Sequence, residues 1–168
     1  MNANTKRQLI DAVKNNNGFA ITLLAVYLIN SKEDIEFGIN LILRAADEKN
    51  VLWAKNLKIY LRGFGENSVL PIEHNALIDS DTREQLENYI AEGDYWAMTI
   101  WGELLYQGRV IPRDRKTAEE LLVRASNLGC LYASDLVVAY GLSGVKGTAF
   151  DIIEKFKTKT GQKYWMQK

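Results

Sequence analysis

The chain is poor in the residues that most catalytic and metal chemistry draws on. It has one cysteine, Cys130, and one histidine, His74, in 168 residues. A single thiol excludes an internal disulfide and cannot assemble a structural zinc site, which needs four nitrogen or sulfur ligands. That thiol economy points to a reducing compartment. Prolines number two, Pro71 and Pro112, so most of the chain is free of the strongest helix breaker. Net charge is also missing: 21 basic and 21 acidic side chains cancel, which removes the overall field that draws a protein to nucleic acid or anionic lipid. No stretch approaches the roughly 18 apolar residues of a membrane span. Residues Met1 to Val13 alternate polar and apolar, without the apolar core of a secretion signal. The expectation is a cytoplasmic protein with no membrane partner.

What the chain does have is self-similarity at a fixed period. Ala20, Ala54, Ala97 and Ala133 are spaced by 34, 43 and 36 residues, the period of a helix-turn-helix repeat. An aromatic precedes each: Phe19, Trp53, Trp96 and Tyr132. Four residues before each anchor stands Asn16, Asn50, Gly93 or Gly129, all tolerant of left-handed backbone. Three residues after come Leu23, Leu57, Ile100 and Leu136, and seven after come Tyr27, Leu61, Leu104 and Tyr140. The offsets of minus one, plus three and plus seven form one stripe of a helix, helix A of each repeat.

Gly65, Gly108 and Gly144 stand eleven residues beyond their anchors, with Ser31 in the first copy, and mark the turn into a second helix. Helix B is then expected over Ile35 to Lys49, Thr82 to Glu92 and Thr117 to Asn127. Its N-terminal caps are read as Ser31 with Asp34, and Asp81 with Glu84. Residues 5–14 read as an unpaired helix B covering the open end of the stack, and Ala149 to Phe156 as the last helix B. The fold class is therefore all-α: a superhelical solenoid of antiparallel helix pairs, one domain over residues 1–168. Repeats fall at about 16–49, 50–92, 93–128 and 129–157, followed by a polar tail, 158–168.

The third copy carries a more specific pattern in Ala97, Gly102, Tyr106, Gly108, Val110, Asp114, Ala118, Ala125 and Gly129. It resembles the SEL-like repeat, a relative of the tetratricopeptide repeat found in bacteria and eukaryotes. The other copies depart from it: Ala25, Ile59 and Val138 replace the helix A glycine. The resemblance implies stacked helix pairs used for protein contacts, usually without catalysis.

No enzyme constellation emerges from the residues. His74 is distant in sequence from Cys130, and neither has a base in a recognisable pattern. Ser143-Gly-Val-Lys146 matches the S-x-x-K letters of penicillin-interacting serine enzymes without their partner motifs. Gly141 to Gly147 lacks the ending of a phosphate-binding loop. Glu119 and Glu120 are adjacent on a helix and do not face one another. No catalytic residue, cofactor or metal ligand is assigned.

The aromatic ladder Phe19, Trp53, Trp96 and Tyr132 admits two readings, core or groove. Core is favoured, because solenoid stability comes from contacts between repeats. Trp101 and Tyr106 are also read as core. The second repeat is lengthened over Glu66 to Ser80, and such insertions tend to map to a binding edge. Around it lies an acidic stretch with Glu73, Asp79, Asp81, Glu84 and Glu87, while the C-terminus is basic around Tyr164 and Trp165. Those seven residues are the candidate partner-binding set. The expected function is protein binding, in its most concrete form a bacterial cytosolic immunity protein that neutralises a basic toxin domain. An adaptor in a signalling or envelope-assembly complex is the alternative. RNA binding through the basic tail is a third reading, against which the zero net charge counts.

Overall fold

Left-handed backbone at four points divides the chain into its repeats. Asn16, Asn50, Gly93 and Gly129 have φ of 64°, 55°, 92° and 102°, at the four positions that the repeat pattern assigns to turns. A β-branched residue in place of Gly93 would be strained, because only glycine and asparagine enter this region at low cost. The freed backbone closes on the preceding helix: Asn17 N–H donates to Ala12 O, Asp94 N–H to Tyr89 O and Cys130 N–H to Ala125 O, each at 3.0 Å. Such a reversal satisfies carbonyls that a helix end leaves open.

The computed structural model describes residues 1–64, 78–109 and 111–142. Among them are eight helices and no strand. They are α1 (Ala3–Lys14), α2 (Gly18–Ser31), α3 (Ile35–Asp47), α4 (Leu52–Phe64), α5 (Ser80–Ala91), α6 (Tyr95–Gln107), α7 (Arg115–Asn127) and α8 (Leu131–Ala139). The even-numbered ones are the helices A. The expected last helix B, Ala149 to Phe156, and the glycines Gly65 and Gly144 lie outside the described residues.

Two helix starts differ from the sequence reading. Ser31 is the last residue of α2, and Lys32, with φ of 59°, makes the left-handed turn. Asp34 alone caps α3, accepting from Phe37 N–H at 3.0 Å. Asp81 lies within the first turn of α5; the cap is Asp79, whose Oδ1 accepts from both Thr82 N–H (2.8 Å) and Thr82 Oγ1 (2.7 Å). Asp114 caps α7 through Thr117, its Oδ1 accepting from the amide and its Oδ2 from the hydroxyl. A capping side chain reaches the amide three residues on, and a threonine there adds a second bond. Gly108, at φ 68°, ends α6 as expected.

Consecutive helices pack on one another throughout. The anchors Ala20, Ala54, Ala97 and Ala133 are all wholly buried. Helices α2 and α6 are buried on nearly every face and also meet each other. The α2–α3 and α6–α7 pairs approach closely, and glycine makes that possible. A Cβ on Gly102 would lie 2.9 Å from Leu122 Cγ, and one on Gly38 would lie 2.6 Å from Ile29 Cγ1 and 3.1 Å from Ala25 O. The small residue thus stands on helix A in one pair and on helix B in the other. At the same register, α4 and α8 carry Ile59 and Val138, which are 67% and 56% exposed. In those copies helix A presents this position to solvent.

The ends of the chain order meet. Helix α1 lies against α2 and also against α8. Asn2 Nδ2 donates to Asp135 Oδ2 at 3.1 Å, Thr5 Oγ1 donates to the same oxygen at 2.5 Å, and Gln8 spans Gly129 O and Leu131 N–H at 2.6 and 2.7 Å. Within the second repeat, Asn56 of α4 donates to Thr82 of α5 at 3.1 Å. Asn56 and Asp135 occupy equivalent places two residues after their anchors, and Thr82 and Thr5 equivalent places three residues after a capping side chain. Helix α1 therefore meets α8 as α5 meets α4. Helix α1 thus contacts the fourth repeat as well as the first.

Two substitutions test this packing. Gly102→Ala forces apart α6 and α7 and lowers unfolding stability by about 1–3 kcal/mol, read from the urea midpoint; an unchanged midpoint would contradict the close approach. Asp135→Ala leaves the buried Thr5 hydroxyl without its acceptor and costs about 1–3 kcal/mol. Amide exchange should then accelerate in α1 before α6, and uniform acceleration would place Asp135 outside any specific α1 contact.

Candidate functional site

The stripe at offsets minus one, plus three and plus seven converges on one space. Helices α2, α4, α6 and α8 together enclose a cavity of about 340 Å³. Trp53 and Tyr132 line it from the minus-one position, Leu23 and Ile100 from plus three, and Tyr27 and Leu104 from plus seven. Val26 and Glu103 face it from plus six. Each helix A contributes because the turns hold all four in a common register.

Both readings of the aromatic ladder apply, at different rungs. Phe19, Trp53 and Trp96 are buried, and Tyr132 is half-buried. Trp53 and Tyr132 also face the central cavity. Phe19 and Trp96 line instead a larger, polar bowl of about 610 Å³ where the B-to-A turns gather. There Phe19 packs edge-on against Tyr89 at 5.0 Å, and Asn17 Nδ2 donates to Asp94 Oδ2 at 3.0 Å. Trp101 is core, and Tyr106 is half-buried and stacks on Tyr140 with ring centres 3.9 Å apart.

Glu103 is the charged side chain in the wall of the central cavity. Its carboxylate accepts from Gln107 Nε2 at 3.2 Å and stands beside the Tyr132 hydroxyl. Burial pushes the Tyr132 hydroxyl far above its ordinary value, and the neighbouring Glu103 charge and hydrogen bond act in the same direction. The indole Nε1 of Trp53 is buried with no hydrogen-bond partner among the described residues. At the rim, the Tyr27 hydroxyl donates to Glu33 at 2.5 Å, and Lys6 pairs with the same carboxylate. Lys6 foremost, then Tyr27, holds the Glu33 carboxyl below its usual range.

The sequence-derived acidic set is only partly a surface. Asp79 is exposed but serves as a cap; the Thr82 hydroxyl first, then its amide, holds the Asp79 carboxyl below the ordinary carboxylate range. Asp81, Glu84 and Glu87 are exposed along α5. Glu87 pairs with Arg83, Nε to Oε1 at 2.9 Å, whereas Asp81 and Glu84 enter no ion pair among the described residues. Glu73, Tyr164 and Trp165 lie outside the described residues, as do His74 and the Ser143–Lys146 letters.

Glu103 was missed by the sequence reading, and a signal for it exists. The plus-six position is Val26, Tyr60 and Ala139 in the other copies, so a carboxylate there breaks the pattern on a face that looks inward. The plus-two row, Thr22, Asn56, Thr99 and Asp135, is polar in every copy. Thr22 and Thr99 are fully buried and donate to Gly18 O and Tyr95 O at 2.8 and 2.7 Å. Such back-bonding satisfies a buried hydroxyl within its own helix.

Cys130 is buried, with Sγ 3.4 Å from Thr99 Oγ1, and burial pushes its thiol up. A thiol so placed is a poor nucleophile at neutral pH. Among the described residues no group of three or more His, Cys, Asp or Glu side chains could hold a metal ion, and no helix is long and apolar enough to cross a membrane. No protein-family model, curated protein or solved structure matches the chain.

Proposed function

We propose that the chain is a non-catalytic protein-binding module of SEL-like repeat type, a short cytoplasmic superhelix of helix pairs. Its most concrete role is that of a bacterial immunity protein that binds a basic toxin domain. The observation that carries this reading is the α5 face, where Asp81 and Glu84 are exposed and outside any ion pair among the described residues. Carboxylates held on a rigid helix attract and orient a basic partner, raising association rate and selectivity more than affinity. A toxin that cleaves nucleic acid presents a basic surface of that kind. Binding over such a face needs no reacting group from the chain.

The experiment is affinity capture from the native host with the wild-type chain and the triple variant Asp81→Lys, Glu84→Lys, Glu87→Lys, followed by mass spectrometry. All three side chains are exposed, so circular dichroism should be unchanged. The wild type should retain a basic protein whose association slows at least about tenfold in the variant at low salt. Equal capture by both chains would remove the acidic face from the reading, and capture of a sensor kinase or secretion component would favour an adaptor.

A further inference from the structure

The central cavity is bordered by one unmet hydrogen-bond donor. Trp53 is 1% exposed and lines the cavity, and its indole Nε1 has no acceptor among the described residues. A buried donor left unpaired is destabilising and rare in folded proteins, so this one calls for an explanation. The surrounding wall is largely aliphatic, with Leu23, Val26, Ile100 and Leu104 all buried. Ser31, exposed at the end of α2, marks the open edge. Glu103, also in the wall, is already engaged by other groups and is not a counter-charge waiting for a cation. No lysine, arginine or histidine among the described residues lines the space. An ion of either sign that entered would lose its water without adequate compensation. The volume of about 340 Å³ lies at the small end of the roughly 300–1,000 Å³ range of ligand sites. About eleven waters of roughly 30 Å³ each would fill it, so it suits a guest with on the order of a dozen non-hydrogen atoms.

We infer that this cavity is a binding site for a small, uncharged, largely apolar molecule that carries one carbonyl-type oxygen. Its apolar body lies against Leu23, Ile100 and Leu104, and its oxygen accepts from the Trp53 indole N–H. Two gains then coincide: apolar surface on guest and wall leaves water, and the buried donor acquires its acceptor. The indole edge has only to turn toward the space that its ring already lines. A plain hydrocarbon would fill the same volume and leave the donor unpaired, so the oxygen decides between guests of equal size. Helices α2, α4, α6 and α8 all contribute to the wall, which suits a free molecule held on several sides. None of the α5 residues lines it. The site therefore goes beyond the protein-binding reading and does not depend on it.

The test uses the full chain labelled with ¹⁵N and ¹³C, with the Trp53 indole resonance assigned by its loss in Trp53→Phe. Four probes of similar bulk are titrated: butyrophenone, a neutral ketone; butylbenzene, which lacks the oxygen; 4-phenylbutyrate, an anion; and 4-phenylbutylamine, a cation. Butyrophenone should move the Trp53 indole proton downfield saturably and shift the methyl signals of Leu23, Ile100 and Leu104, leaving the exposed Leu128 unmoved. Butylbenzene should bind at least about threefold more weakly, without the downfield shift. The two ions should each bind at least about tenfold more weakly than the ketone. In Trp53→Phe the ketone's affinity should fall to that of the hydrocarbon. No saturable shift with the ketone, equal affinity for ketone and hydrocarbon, or tighter binding of either ion would overturn the inference. The four probes on the wild-type chain decide the matter even if Trp53→Phe fails to fold. Loss of partner capture in the α5 variant leaves these titrations unchanged, so this inference and the protein-binding reading fail separately.

Discussion

Close approach of helices at small residues is the constraint on which the rest of this structure depends. A single amphipathic helix pair cannot hide its apolar flank from water; it becomes stable only when the next pair leans on it. The wholly buried anchors Ala20, Ala54, Ala97 and Ala133 let neighbouring backbones come near, and a left-handed residue four positions earlier makes the turn into each helix A. With those two features repeated, every helix A brings at least one residue of the stripe at minus one, plus three and plus seven to a common cavity. The cavity is thus a product of the repeat itself.

The copies are alike in register and unlike in how tightly their two helices pack. Where a glycine stands at the crossing, as in α2–α3 with Gly38 and in α6–α7 with Gly102, the pair closes until a methyl group would clash. Where Ile59 or Val138 takes the equivalent place, the side chain is exposed. Helix α1 meets α8, so the first and fourth copies are in contact. The polar plus-two row serves the two kinds of pair differently. Thr22 and Thr99 bond their own helices in the close pairs, whereas Asn56 and Asp135 reach a threonine on another helix. One polar position thereby satisfies both kinds of interface.

Much of this was legible in the sequence, for physical reasons that also explain the rest. Helices and turns follow from local rules, so the four left-handed positions and the period of the helices could be read from Asn16, Asn50, Gly93 and Gly129. Caps were harder: in Asp79-Ser80-Asp81-Thr82 several side chains can accept from a helix amide, and only Asp79 reaches both the amide and the hydroxyl of Thr82. The meeting of α1 with α8 was not legible, because it is set by the sum of small angles between pairs. Nor was the exchange of the crossing glycine from helix A to helix B at Gly38, which only the pair of facing helices defines. The candidate acidic residues separated along the same line: Asp79 was drawn into a cap, Glu87 into an ion pair, and Asp81 and Glu84 remained a surface.

The contact between α1 and α8 is the most direct measure of whether these helix pairs close around a shared centre. Spin labels at Asn4→Cys and Leu131→Cys, in a chain carrying Cys130→Ala, report it, since Asn4 and Leu131 border the same surface depression. The account predicts a short, narrow distance distribution set by helices in contact, whose axes lie roughly 8–10 Å apart. A broad distribution centred several helix spacings away, as an open file of four pairs would give, would contradict it.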